Sequence, residues 1–226
     1  MSLVIKLTGR VFNDVELVRR YAQAISGFKG KVVVVAGGGD FARRYIEAAR
    51  ALTGNESLAD TVGIMVSRIN ALILAYTMRR FRSDVYLGVP ESLRELGEAY
   101  SSSNVVVMGG LQPGQSTTMV AVLAAEYLGI DTVVNCSNID ALYTDDPRRN
   151  PSAKPIREAT VDEVLEILRR EGGRAMAGTY DLIDEWALAI MKRAGLKMII
   201  IDGKDPSRLE SYLSRGVFEG TLIKPS

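Results

Sequence analysis

Residues 105–118 read VVVMGGLQPGQSTT, and their order of residue types predicts a buried strand, a glycine loop and the start of a helix. Val105, Val106 and Val107 form the continuous β-branched run of a strand covered on both faces. Gly109 and Gly110 let the backbone turn sharply and come close to a ligand. Pro113 and Gly114 keep the loop open, and Gln115, Ser116, Thr117 and Thr118 crowd polar groups at the head of MVAVLAAEYL. Unpaired N–H groups and partial positive charge at a helix N-terminus suit an anion such as a phosphate. A capped βα loop with no ligand explains the same residues, so this segment alone leaves both readings open.

Two further segments share the design. Lys31–Ala36 (KVVVVA) reads as another buried strand, followed by Gly37, Gly38 and Gly39 and by Asp40 as a candidate N-cap. The helix continues as FARRYIEAARAL, with Phe41, Tyr45, Ala48, Ala49 and Leu52 near helical spacing. Arg43 and Arg44 fall in its first turn, where cations oppose the helix dipole unless an anion lies nearby. The chain opens with a strand, LVIKL, running into Thr8-Gly9-Arg10. Three strand-to-glycine turns would converge at one edge of a parallel sheet, and ligands of open α/β sheets bind at the carboxyl ends of the strands.

Composition narrows the chemistry. The 226 residues can bury a substantial core, and 28 Lys+Arg against 27 Asp+Glu leave no basic face of the kind nucleic acids need. The densest basic spot, Arg79, Arg80 and Arg82, reads as a solvated helix end or an interface. Met1–Leu7 has no signal-peptide layout, and uninterrupted apolar runs fall far short of the ~20 residues of a membrane span. The single cysteine, Cys136, excludes an internal disulfide, fits a reducing, cytoplasmic setting and reads as a small core residue. There is no histidine. That removes Ser-His-Asp and Cys-His catalysis and His-ligated zinc. Lys, Arg, Asp, hydroxyls and backbone amides remain, a set suited to phosphoryl transfer. The Gly-Lys-Ser/Thr phosphate loop and the dinucleotide fingerprint are both absent.

The remainder alternates strands and helices. A helix at about 118–128 closes at Gly129, and a strand follows at 131–135. CSNIDALYTDDP (136–147) and RRNPSAK (148–154) read as loop. Thr160 caps a helix to residue 171, with Glu163 completing a capping box. Residues 172–178 read as a turn, and 180–194 as a helix that carries Trp186 into the core. A strand at 197–202, a helix at 206–214 and a last strand at 220–224 complete one α/β domain, with two lobes dividing near residue 134.

KLTG, VVVVAGGGDFARRY, VVVMGGLQPGQST and NIDALYTDDPRRNPSAK, in that order, resemble the amino-acid-kinase superfamily and, within it, the archaeal-type uridylate kinases. The resemblance covers essentially the whole chain. It implies a three-layer αβα sandwich around a mostly parallel sheet. It also implies transfer of the γ-phosphate of Mg-ATP to UMP, and a homohexamer built as a trimer of dimers. Residues 1–134 would bind UMP and residues 135–226 ATP. Lys6 matches the lysine on the transferring phosphate, Gly9 its glycine turn and Arg43 a phosphate-contacting arginine. Gly38 matches a UMP-side glycine and Gly39 an ATP-side one. Asp60 matches the acid that holds the ribose hydroxyls. Leu111, Gln112, Pro113, Gly114, Gln115, Ser116 and Thr117 match the UMP loop. Ser137, Asn138, Tyr143 and Asp146 match ATP contacts, and Asp140 an acid that orders the lysine and the metal environment. Magnesium would be held mainly by the nucleotide phosphates. Ala141 stands where relatives have Gly. Arg10 stands where many have Ser, and is a candidate phosphate contact.

The residues fit that chemistry. A phosphate monoester with a second pKa of about 6 is dianionic at neutral pH and needs no general base. Lys6, Arg43 and magnesium would offset the charge of two phosphates meeting. The rival readings are a kinase of the same fold acting on isopentenyl phosphate, carbamate or an acylated amino acid, and a non-catalytic nucleotide-binding protein. The missing histidine, Asp60 and Lys6 respectively argue against them.

Overall fold

A computed structural model describes residues 1–145, 150–170 and 183–226. Among these, seven strands form one sheet in the order β3-β2-β1-β4-β8-β9-β7. They are β1 (Ser2–Leu7), β2 (Lys31–Ala36), β3 (Val105–Met108), β4 (Thr132–Ser137), β7 (Glu158–Thr160), β8 (Lys197–Asp202) and β9 (Thr221–Lys224). A small ribbon pairs β5 (Leu142–Tyr143) with β6 (Pro155–Ile156). All pairings in the large sheet are parallel except β8 with β9.

Side chains alternate between two cores, as the pleat requires. Ile5, Leu7, Val32, Val34, Val105, Val107, Val134, Ile199 and Ile201 meet α1 (Val15–Ser26), α3 (Glu56–Arg79) and α8 (Pro206–Arg215). Val4, Val33, Val35, Val106, Val133 and Ile200 meet α4 (Leu93–Ser102), α5 (Thr117–Leu128), α6 (Val161–Arg170) and α7 (Glu185–Ala194). The result is a three-layer αβα sandwich with apolar runs buried on both faces. A further helix, α2 (Gly39–Thr53), lies on α3 at its outer side.

Local signals operate as their chemistry predicts. Ser116 caps α5 by accepting from the Met119 N–H, and Gly129 ends it at φ +64°. Thr160 and Glu163 exchange capping bonds at α6. Cys136 is fully buried, and burial pushes its thiol up to about 12.

Three expectations need correction. Trp186 is 70% exposed, because Ala187, Leu188, Ile190 and Met191 supply the buried face of α7. The N-cap of α2 is Gly38, and Asp40 lies within the first turn. Phe41, Tyr45 and Leu52 face outward, since the tight approach of α2 to its neighbours runs through Ala42. The longest helix, α3, carries no clear sequence signal because apolar residues run around most of its circumference. By length and composition it is apolar enough to cross a membrane, with a mean hydropathy of 1.5 over 18 residues. A helix with one side on a sheet and an exposed apolar stripe on the other has the same composition. The turn read at 172–178 and the start of the last long helix, at 180–182, lie outside the described residues.

Candidate active site

Parallel register brings four strand ends to one edge: Leu7 lies beside Ala36 and Cys136, and Val35 beside Met108. The turns that leave them enclose a cavity of about 260 Å³. Thr8, Gly9 and Arg10 come from the first turn, and Gly38, Gly39, Ala42 and Arg43 from the second. Gly110, Gln112, Gln115 and Thr117 come from the third, and Asn138 follows β4. The outer wall is Asp60, Gly63, Ile64 and Ser67 of α3, with Ile46 of α2.

Two glycines are required by geometry. A Cβ on Gly9 would lie 1.9 Å from the Gly39 nitrogen, so only glycine lets the first two turns touch. Gly39 has φ +71°, the left-handed region. Gly38 before it is right-handed at φ −80°, ψ −31° and makes no side-chain capping bond. A right-handed residue followed by a left-handed one arranges successive N–H groups into an anion-binding concavity, here at a helix N-terminus.

Charge is distributed unevenly around this cavity. Arg10 and Arg43 supply positive charge. Arg43 lies 3.5 Å from Asp40, which also accepts from Asn13 Nδ2 at 2.7 Å. Arg44 is exposed and outside the lining. On the opposite wall Asp60 Oδ2 accepts the Gly114 N–H at 2.8 Å, tying α3 to the 111–116 loop. Ser116 donates to Asp184 at 2.5 Å, which joins the caps of α5 and α7. Leu111, Pro113, Gly114 and Ser116 therefore shape the loop, and Gln112, Gln115 and Thr117 face the cavity.

A second cavity of about 320 Å³ adjoins the first through Asn138, which lines both. Asn138 is held by the Thr8 hydroxyl, which donates to its Oδ1 at 2.8 Å. Asp140, Ala141, Arg157, Asp202, Lys204, Arg208, Glu219 and Gly220 line the rest with Pro155. The Tyr143 hydroxyl donates to both Asp140 carboxylate oxygens at 3.2 Å. Partial burial, reinforced by the Asp140 charge, raises its phenol above the usual range.

Lys6 and Ser137 are not among the residues that line these two cavities. Lys6 is 6% exposed near the end of β1, paired in register with Val35 and Asn135. Its alternation with Ile5 and Leu7 sends it to the α5 face of the sheet. Ser137 is buried, and its carbonyl accepts the Gly203 N–H at 2.6 Å. Asp146 lies outside the described residues.

Sequence reasoning missed Thr8, Ser67, Arg157, Lys204 and Arg208. For Lys204 the signal was present: IIIDGK at 199–204 is another buried strand running into a glycine and a cation. Arg157 and Arg208 carry no local mark and reach the cavity only through the fold. Together the cavities offer amides and guanidinium groups for one anion, cations for another, and a shared asparagine between them. That arrangement suits group transfer between two anionic ligands.

The amino acid kinase family model matches residues 1–202. The chain is 44% identical over 223 residues to the uridylate kinase of Pyrobaculum aerophilum, covering 99% of both chains. It is 37% identical to that of Sulfolobus acidocaldarius over the full length of both. The crystal structure of uridylate kinase from Archaeoglobus fulgidus superposes with a TM-score of 0.87 at 32% identity, covering 99% of this chain and all of the other.

Proposed function

The chain belongs to the amino acid kinase family, among its uridylate kinases, and from that membership we propose that it passes the γ-phosphoryl group of ATP to UMP in line, without a general base. The observation that carries the mechanism is the pair of cavities meeting at Asn138, in a chain without histidine. In this reading UMP occupies the glycine-lined cavity, with its phosphate toward Gly38 and Arg43 and its ribose toward Asp60. ATP occupies the cavity of Asp140 and Lys204, with Tyr143 beside the adenine. The UMP phosphate is itself the nucleophile, and positioning with charge stabilisation does the catalytic work. Lys6 stabilises the transferring group, and Asp140 orders its surroundings.

Magnesium fits this site through its donor set. Asp140, Asp202 and Glu219 bring hard carboxylate oxygens to the second cavity. In this reading the ion would rest mainly on ATP phosphates, with Asp140 and Asp202 as the protein's contributors. When bound it neutralises charge that develops between the phosphates.

The same reading carries an acceptor half at 1–134 and a donor half at 135–226, a role in pyrimidine nucleotide supply, a cytoplasmic location and a homohexamer of dimers. Self-association is supported by apolar side chains that α2 and α3 leave outward: Phe41, Tyr45, Met65, Ile69, Ile73 and Tyr76 are each at least half exposed. The deciding experiment is a screen of nucleoside monophosphates with Mg-ATP. UMP should be the preferred acceptor, with UDP and ADP released in equal amounts. Preference for another acceptor, or ATP binding without turnover, would overturn the reading.

A further inference from the structure

The glycine turn at 37–39, which faces the acceptor cavity, is not held by its own sequence. Gly37 and Gly38 have no side chains, and the buried Gly37 carbonyl and the partly buried Gly38 carbonyl each call for a donor. Both find it on α3. Asn70, only 6% exposed, donates from Nδ2 to the Gly37 carbonyl at 2.8 Å and to the Gly38 carbonyl at 3.2 Å. In a planar trans peptide the C=O of one residue and the N–H of the next point in opposite directions. Holding the Gly37 and Gly38 carbonyls on Asn70 therefore fixes the planes of the next two peptides and with them the directions of the Gly38 and Gly39 N–H groups, in two glycines that line the cavity. The backbone agrees: right-handed Gly38 followed by Gly39 at φ +71° is the alternation that gathers amides around an anion.

We propose that Asn70 is a positioning residue for phosphoryl transfer, which fixes the Gly38 amide, on the acceptor side of the turn, together with the Gly39 amide beside it, in the orientation that receives phosphate. The inference rests on the UMP-acceptor reading above. An asparagine suits the role because its NH₂ group supplies two donors from one atom, one for each carbonyl. The side chain lies outside the lining of both cavities, so its effect passes through the glycine backbone. α3 treats the third turn in the same way. Ser67 Oγ accepts the Gly110 N–H at 2.8 Å, and Arg68 donates to the Gly110 and Leu111 carbonyls at 3.1 and 3.3 Å.

Asn70→Ala and the bulkier Asn70→Leu test the proposal together, since the leucine fills the space that the alanine leaves empty. Binding of UMP and of uridine is measured for each variant by calorimetry and by competition, alongside turnover with Mg-ATP. Loss of two aimed donors should weaken UMP about 10- to 100-fold. Uridine, which has no phosphate, should bind within about twofold of wild type. A second readout needs no substitution: hydrogen exchange at 37–40 in the wild type should slow with UMP and not with uridine. Equal loss of UMP and uridine binding would make Asn70 a structural residue only and overturn the proposal, as would unchanged UMP binding. Identical exchange with the two ligands would also overturn it. A wild type that fails to phosphorylate UMP would instead remove the acceptor reading on which the proposal rests.

Discussion

Replacing Gly9 with alanine should separate the fold from the chemistry. The new methyl would sit 1.9 Å from the Gly39 nitrogen and 2.5 Å from its Cα, where ordinary contact begins at 3.4 Å, so the two turns must part by about 1.5 Å. Both obstacles are backbone atoms, and no side-chain rotation relieves them. Gly39 opens α2, so its retreat carries the Gly38–Gly39 amides and Arg43 with it. A displacement of about 1 Å at reacting groups costs roughly 10²-fold in rate, so kcat/KM for UMP should fall at least about 100-fold. Overpacking of this kind costs about 1–3 kcal/mol. For a chain of this length each kcal/mol lowers Tm by about 2–4 °C. The protein should therefore remain folded at assay temperatures well below its melting point. Steady-state release of UDP and ADP, with melting followed by calorimetry, reads both effects. Gly216→Ala is the control: φ is +69° and nothing lies within 4 Å of the added carbon, so about 1 kcal/mol of strain should lower Tm without touching turnover. If Gly9→Ala keeps kcat/KM within threefold of wild type, the contact between the turns does not set the site's geometry.

Other expectations follow from the same site. Lys6→Ala should lower kcat roughly 10²–10³-fold with little change in UMP binding, and near-normal turnover would remove Lys6 from the mechanism. Asp60→Asn should raise the UMP KM and narrow the preference for UMP over dUMP, because the charge-assisted bond to the ribose is weakened; an unchanged ratio means that Asp60 serves only its bond to the Gly114 amide. The acid limb of kcat/KM should lie near pH ~6, where the acceptor's dianion is lost as pH falls, and a thiophosphate acceptor of lower second pKa should move it down. Identical limbs for the two acceptors would assign the base to the enzyme, with Asp140 the first suspect. Charge at the outward face of α3, as in Ile69→Lys with Ile73→Lys, should reduce the assembly's mass in light scattering; a wild type already at the protomer's 24.6 kDa would refute self-association through this face.

Much of the fold was written locally. The valine runs of β2 and β3 need burial on both faces, and Gly39 answers a backbone demand made at its own position, with φ +71°. Ser116, Gly129 and the Thr160–Glu163 pair are likewise recognisable because a cap satisfies its own helix end. Those signals, with the absence of histidine, were enough to point to an α/β chain suited to phosphoryl transfer with anion sites at one sheet edge, and the resemblance supplied the αβα kinase fold.

What only the tertiary structure decided depends on elements far apart in sequence. Trp186 looked like core by residue type, yet which side of α7 is buried is set by α5 and α6 packed against it. The antiparallel insertion of β9 between β8 and β7 follows from sheet pairing that no local pattern encodes. Lys204 and Arg208 join Asp140 at one cavity because β4 and β8 lie side by side and end together, Ser137 beside Asp202, and Arg157 joins them through β9, where its carbonyl accepts the Leu222 N–H. Asn70, an unremarkable polar residue within an apolar helix, becomes the donor for two glycine carbonyls 32 and 33 residues away. A sequence states what each backbone group can accept. Packing determines which distant side chain is there to satisfy it.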